Sequence, residues 1–69
     1  MLENLISKIK TSGNNADVDM IKKAYNLAFE AHKDQKRESG EPYIIHPVSV
    51  AIILTEMGMD TNTIVAGLL

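Results

Sequence analysis

The chain has 69 residues and no cysteine, with seven basic and nine acidic residues, a net charge of −2 and only three aromatic side chains. This size allows one small domain or part of one with an aliphatic core, and the missing cysteines exclude disulfides and thiolate metal sites. The acidic balance argues against a nucleic-acid binder. The first residues do not have the pattern of a signal peptide, and no stretch of about 20 apolar residues, which a membrane span needs, is present. We therefore expect a soluble, cytoplasmic protein.

The first half of the chain predicts two amphipathic helices. Leu2, Leu5, Ile6 and Ile9 recur at helical spacing and predict a first helix, which the turn residues at 11–15 end. Asn15 or Asp17 begins the second helix, where an acidic first turn suits the helix dipole. The predicted apolar stripe of this helix consists of Val18, Ile21, Tyr25, Ala28 and His32, widened by Ala24, Leu27 and Ala31.

The second half predicts a long loop followed by two more helices. Residues 34–45 lose the helical period and contain Ser39-Gly40 and Pro42, which break helices. Pro47 suits the first position of a third helix that ends near Gly58. Asp60 or Thr61 begins a fourth helix that carries Ile64, Val65, Leu68 and Leu69. We therefore predict an all-α fold of about four helices.

The last predicted helix has neither a C-cap nor a polar end. We interpret this as a truncation, and the alternative is a true terminus that frays or docks. If partner helices are absent, the apolar faces of the third and fourth helices are expected to be partly bare and to cause self-association. The residues concerned are Val50, Ile53, Leu54, Ile64, Leu68 and Leu69.

Three features could carry chemistry. His46, directly before Pro47, lies near a helix start, where a neutral imidazole with an available lone pair could bind a metal. Considered alone, however, a capping or buried structural histidine is the favoured interpretation, and His32 on the apolar stripe is favoured as a core histidine. Arg37 and Ser39 could grip a phosphate, but the alternating acidic residues favour a solvated, self-neutralising loop.

A longer motif changes these interpretations. Residues 37–47 read RESGEPYIIHP, preceded by AYNLAFEAHKDQK at 24–36 and followed by VAIIL at 50–54. This stretch resembles the opening of the N-terminal hydrolase domain of the RelA/SpoT family, the long bifunctional (p)ppGpp synthetase/hydrolases of bacteria. The resemblance extends over residues 17–69, and its central motif is long and specific.

The resemblance implies an all-α, HD-type metal-dependent phosphohydrolase domain that removes the 3′-pyrophosphate from ppGpp and pppGpp with Mn²⁺. It assigns His46 as the first metal ligand and Arg37 and Ser39 to the nucleotide pocket, with guanine nucleotides as partners. Residues 1–69 would be the N-terminal part of one such domain and would end before its His-Asp pair. The chain would then hold one of four metal ligands, and we expect it to be inactive alone.

Two positions depart from the family pattern. Glu38 stands where many members have lysine, which removes a positive charge facing a polyanionic substrate, and Asp34 stands where many have glycine. Two alternatives to the bifunctional enzyme are a short hydrolase-only relative and a non-catalytic helical interaction module.

Overall fold

The computed structural model describes residues 1–69 as a four-helix fold. The helices are α1 (Leu2–Thr11), α2 (Val18–His32), α3 (Ile45–Glu56) and α4 (Thr61–Leu68). No strand is present beyond one isolated bridge between Lys36 and Pro42. The prediction of an all-α fold with four helices is confirmed. None of the helices has the length and apolar composition needed to cross a membrane.

Capping side chains start two of the helices, and in each case the structure uses one of the two candidates that the sequence predicts, Asp17 rather than Asn15 and Asp60 rather than Thr61. The Asp17 carboxylate accepts a hydrogen bond from the Met20 backbone N–H at 3.1 Å, and Asp60 accepts one from Thr63 at 2.9 Å. Each bond satisfies a backbone donor that has no partner within the first helical turn.

The third helix begins two residues earlier than predicted. It starts at Ile45, so Pro47 is its third residue rather than its first. The first four N–H groups of a helix have no partner in the helix, so proline is tolerated at this position too. The predicted end is confirmed, because Gly58 has a φ of +76° and Met59 N–H donates to Leu54 O at 3.1 Å.

One aliphatic core joins the four helices. α4 packs against both α2 and α3, and α1 packs against α3. The buried apolar side chains of this core are Leu5, Ile9, Ile21, Ala24, Ala28, Ile44, Val48, Ala51, Ile64 and Leu68.

Two predictions about exposure are corrected. Leu27 is 64% exposed and Ala31 is also exposed, so the buried stripe of α2 is narrower than predicted. Ile64 and Leu68 were expected to be partly bare, but they are buried because α4 lies against both α2 and α3. Of the other residues expected to be bare, Ile53 and Leu69 are exposed, whereas Val50 and Leu54 are half-buried.

The side chain of Asn14 joins the two short interhelical turns. Its Nδ2 donates to Met59 O at 3.1 Å and to Thr55 O at 3.4 Å, and its Oδ1 accepts from Ala16 N–H at 2.8 Å. Next to it, Asp17 N–H donates to the Thr61 hydroxyl at 2.9 Å. The α1–α2 turn is thereby held against the α3–α4 turn.

Candidate nucleotide-binding site

The loop between α2 and α3 is folded as a short hairpin at residues 35–43. Arg37 N–H donates to Glu41 O at 2.9 Å, and Tyr43 N–H donates to Gln35 O at 3.1 Å. Gly40, with a φ of +87°, makes the tight turn at the tip, a conformation that glycine adopts without strain. We call this segment the 35–43 hairpin.

The hairpin brings together the two residues assigned to the nucleotide pocket. Arg37 and Ser39 border an open depression of about 600 Å³, together with Lys36, Glu38 and Tyr43. Arg37 forms no ion pair, because the two salt bridges of the chain join Met1 to Glu3 and Lys33 to Glu30. The acidic residues of the loop therefore do not neutralise its guanidinium by direct contact.

His46 lies in the first turn of α3, two residues after the N-cap residue Ile44. Its side chain is exposed and makes no hydrogen bond, and its backbone N–H donates to Tyr43 O at 3.1 Å. The ring lies with its centroid 6.5 Å from that of Tyr43, in an edge-on arrangement. The interpretation of His46 as a buried or capping histidine is not supported, because the side chain has no polar partner and is accessible.

A smaller cavity of about 260 Å³ lies beside His46. Its lining combines the end of α2, the base of the hairpin, the start of α3 and the end of α4. The lining residues are His32, Tyr43, His46, Pro47, Val50, Gly67, Leu68 and Leu69. Tyr43 borders both this cavity and the depression near Arg37.

His32 is half-buried at the edge of this cavity and is not a core residue. Its Nδ1 lies 2.9 Å from Gln35 Oε1, and its ring centroid lies 4.5 Å from that of Tyr43. Sequence reasoning missed these contacts of Gln35 and Tyr43. No periodic signal could have revealed them, because the hairpin that creates them has neither helical nor strand spacing.

The described residues do not form a metal centre. No group of three or more histidine, aspartate or glutamate side chains lies close enough together to hold an ion. His46 is therefore a single candidate ligand, and the donor set of residues 1–69 does not fit Mn²⁺, which takes about six oxygen or nitrogen ligands.

Comparison with known proteins identifies the relatives of this chain. It is 46% identical over 69 residues to the bifunctional (p)ppGpp synthase/hydrolase RelA of Mycobacterium tuberculosis, covering 100% of this chain and 9% of that protein. It is 59% identical over 49 residues to the guanosine-3′,5′-bis(diphosphate) 3′-pyrophosphohydrolase of Aquifex aeolicus, covering 71% and 7%. It is 52% identical over 62 residues to a GTP pyrophosphokinase of Streptomyces antibioticus, covering 90% and 7%.

The chain thus spans less than a tenth of the length of these curated relatives. The resemblance to (p)ppGpp-metabolising enzymes is confirmed by their names. The sequence pattern of the HD domain matches residues 24–69, which is more than half of the chain and includes the hairpin, α3 and α4. The chain therefore belongs to the HD domain family.

Proposed function

We propose that this chain is the opening part of a (p)ppGpp 3′-pyrophosphohydrolase domain in a protein that also has GTP pyrophosphokinase activity and controls (p)ppGpp levels in the stringent response. The relatives support the reaction class. The structural observation that supports it best is the position of Tyr43, which borders both the depression near Arg37 and the cavity near His46. We infer that a nucleotide bound in the depression would extend past Tyr43, whose ring centroid lies 6.5 Å from that of His46.

Arg37 and Ser39 are the proposed substrate-binding residues. The Arg37 guanidinium makes no ion pair within the chain, so it can donate two parallel hydrogen bonds to a phosphate or lie against the guanine base. The Ser39 hydroxyl borders the same depression and can add a further donor. Two carboxylates of the hairpin, Glu38 and Glu41, lie nearby and oppose the binding of a polyanion.

His46 is the proposed contribution of this chain to metal binding. HD domains are generally metal-dependent hydrolases, and we propose Mn²⁺ as the ion. When bound, such an ion polarises a phosphate and activates water. Residues 1–69 offer it His46 alone, and we propose that the other ligands come from chain beyond residue 69, starting with a His-Asp pair.

The test compares the 69-residue chain with a longer protein that begins with it. We expect the longer protein to release pyrophosphate from ppGpp in the presence of Mn²⁺. We expect the 69-residue chain to show neither turnover nor micromolar Mn²⁺ binding in calorimetry. A longer protein without any ppGpp hydrolysis would contradict the proposed function and favour a non-catalytic module.

Two substitutions in the longer protein separate the proposed roles. His46→Ala should abolish turnover, whereas Arg37→Ala should mainly raise the KM for ppGpp and leave Mn²⁺ affinity nearly unchanged. Lys22→Ala, at an exposed position on α2, is the matched control for loss of a positive charge. Full activity of the His46→Ala variant, or micromolar Mn²⁺ binding by the 69-residue chain, would show that the role of His46 is wrong.

A further inference from the structure

The end of α2 makes an unusual set of contacts through one side chain. His32 Nδ1 lies 2.9 Å from Gln35 Oε1, so a proton on this nitrogen is donated to the amide oxygen. The second contact of His32 is aromatic, since its ring centroid lies 4.5 Å from that of Tyr43, with an angle of 34° between the ring planes. One imidazole therefore holds both ends of the 35–43 hairpin.

Backbone hydrogen bonds also connect these three residues. Gln35 N–H donates to His32 O at 2.9 Å, and Tyr43 N–H donates to Gln35 O at 3.1 Å. His32, Gln35 and Tyr43 thus form a closed ring of contacts at the base of the hairpin.

The rest of the hairpin has little else to hold it. Residues 33–43 are all exposed, and Ile44 is the first buried side chain after α2. Between residues 34 and 43, no side chain other than that of Gln35 makes a hydrogen bond or ion pair with a helix. An exposed segment with few buried apolar contacts opens easily unless specific contacts hold it.

The contacts among His32, Gln35 and Tyr43 lie next to the candidate site, so they can affect its geometry. Tyr43 lies edge-on to His46 and borders the depression that contains Arg37 and Ser39. Moving Tyr43 would change the distance between the proposed phosphate-binding residues and His46.

We propose that His32 is a positioning residue, which holds the 35–43 hairpin at a set distance from His46 through Gln35 and Tyr43. That His32 holds the hairpin in place does not depend on the substrate. That the hairpin position affects substrate binding rests on the proposed function. His32 touches no substrate in this proposal and acts through the two neighbours it contacts.

The first experiment measures amide hydrogen exchange by NMR in the 69-residue chain. His32→Ala removes both contacts and should speed exchange of the Arg37 and Tyr43 amides by about tenfold, the combined effect expected of one hydrogen bond and one ring contact. The amides in the middle of α3 and α4 should keep their protection, which separates local opening from global unfolding. Asn26→Ala, at an exposed polar position on the same helix, should leave the hairpin amides unchanged.

Two conservative variants separate the ring contact of His32 from its hydrogen bond. His32→Phe keeps a ring beside Tyr43 and should retain the ring-current shift of the Tyr43 protons. His32→Gln keeps a hydrogen-bond donor for Gln35 and should lose that shift. Each should restore part of the hairpin protection that His32→Ala loses. Unchanged exchange at Arg37 and Tyr43 in His32→Ala, or no partial rescue by either conservative variant, would overturn the inference.

A second experiment connects the hairpin to the candidate site. In the longer protein, His32→Ala should raise the KM for ppGpp severalfold and leave Mn²⁺ affinity unchanged. A wild-type protein that does not hydrolyse ppGpp would refute the proposed function while the exchange result still stands. An unchanged KM in an active His32→Ala enzyme would refute the positioning role of His32 while the proposed function still stands.

Discussion

The Asp60 carboxylate shows how a single residue can determine where a helix begins. It accepts a hydrogen bond from Thr63 N–H at 2.9 Å. Hydrogen bonding from the Thr63 side chain first, and from the Thr63 backbone second, lowers the pKa of Asp60 below its ordinary value of 3.8. The Asp17 carboxylate caps α2 by accepting a hydrogen bond from Met20 N–H. Both caps follow from the local sequence, because a short polar side chain reaches only the N–H groups of the next turn.

The lowered pKa of Asp60 predicts a stability that depends on pH. A carboxyl with a lower pKa in the folded state stabilises the fold above its unfolded pKa, and this contribution is lost as the pH falls through the folded value. We expect the free energy of unfolding to decrease in acid, and less so in an Asp60→Asn variant, which keeps a capping oxygen but does not titrate. If thermal melts show that acid destabilises the two proteins equally, protonation of Asp60 is not the cause of the loss of stability.

Elements of this fold are joined at two places that helical periodicity does not reveal. The first is the pair of hydrogen bonds from the Asn14 side chain to Thr55 O and Met59 O, which lie 41 and 45 residues away along the chain. We call this connection the Asn14 clasp. The second is Gly67, where an added Cβ would lie 2.8 Å from Leu54 Cδ1 and 3.4 Å from Val50 Cγ1. Both features define how close neighbouring elements approach.

For the clasp, we predict that Asn14→Ala lowers the free energy of unfolding by about 1–3 kcal/mol, because it leaves part-buried backbone groups of two turns without partners. The adjacent Asn15 is exposed, and its side chain makes no hydrogen bond with the protein. Asn15→Ala is therefore the matched control and should change stability little. Denaturant titrations of both variants measure the difference, and equal losses would argue against the clasp.

For Gly67, we predict that Gly67→Val destabilises the protein by about 1–3 kcal/mol, since the added methyl groups would meet Leu54 and Val50 on α3. Ala66→Val is the control, because Ala66 is exposed on the same helix and valine there should cost only about 0.5 kcal/mol in helix propensity. Thermal melts of the two variants provide the comparison. A Gly67→Val protein as stable as Ala66→Val would show that α3 and α4 can separate freely.

The whole molecule exposes several large apolar side chains. Ile53 on α3 is 56% exposed, Met57, the residue that follows the end of α3, is 62% exposed, and Leu69 is 64% exposed. The predicted self-association therefore depends on fewer residues than the sequence suggested, since Ile64 and Leu68 belong to the core. It remains a prediction about this exposed surface.

We expect the 69-residue chain to form dimers or larger oligomers at high micromolar concentration, because burying apolar surface between copies is favourable. Ile53→Lys should shift the population towards monomer. Met20→Lys, at an exposed apolar position on α2, should not. Light scattering distinguishes these outcomes, and a monomeric wild-type chain would contradict the prediction.

The sequence alone determined the four helices, the stop at Gly58 and the motif that relates residues 37–47 to (p)ppGpp hydrolases. It limited the start of α2 to Asn15 or Asp17 and that of α4 to Asp60 or Thr61, and the structure has the caps at Asp17 and Asp60. These features depend on neighbours one turn apart, so they can be read from spacing and residue type. The sequence also indicated Arg37, Ser39 and His46 as site residues, and those roles remain predictions.

Only the tertiary structure decided which apolar residues are covered and how the hairpin meets the helices. The burial of Ile64 and Leu68 results from the packing of α4 against two other helices, and the contacts of His32 with Gln35 and Tyr43 result from the fold of an aperiodic loop. An apolar face is equally apolar whether a helix or water covers it, so its sequence pattern cannot identify its partner. Contacts between distant residues depend on the positions of whole elements, which are determined when the core packs.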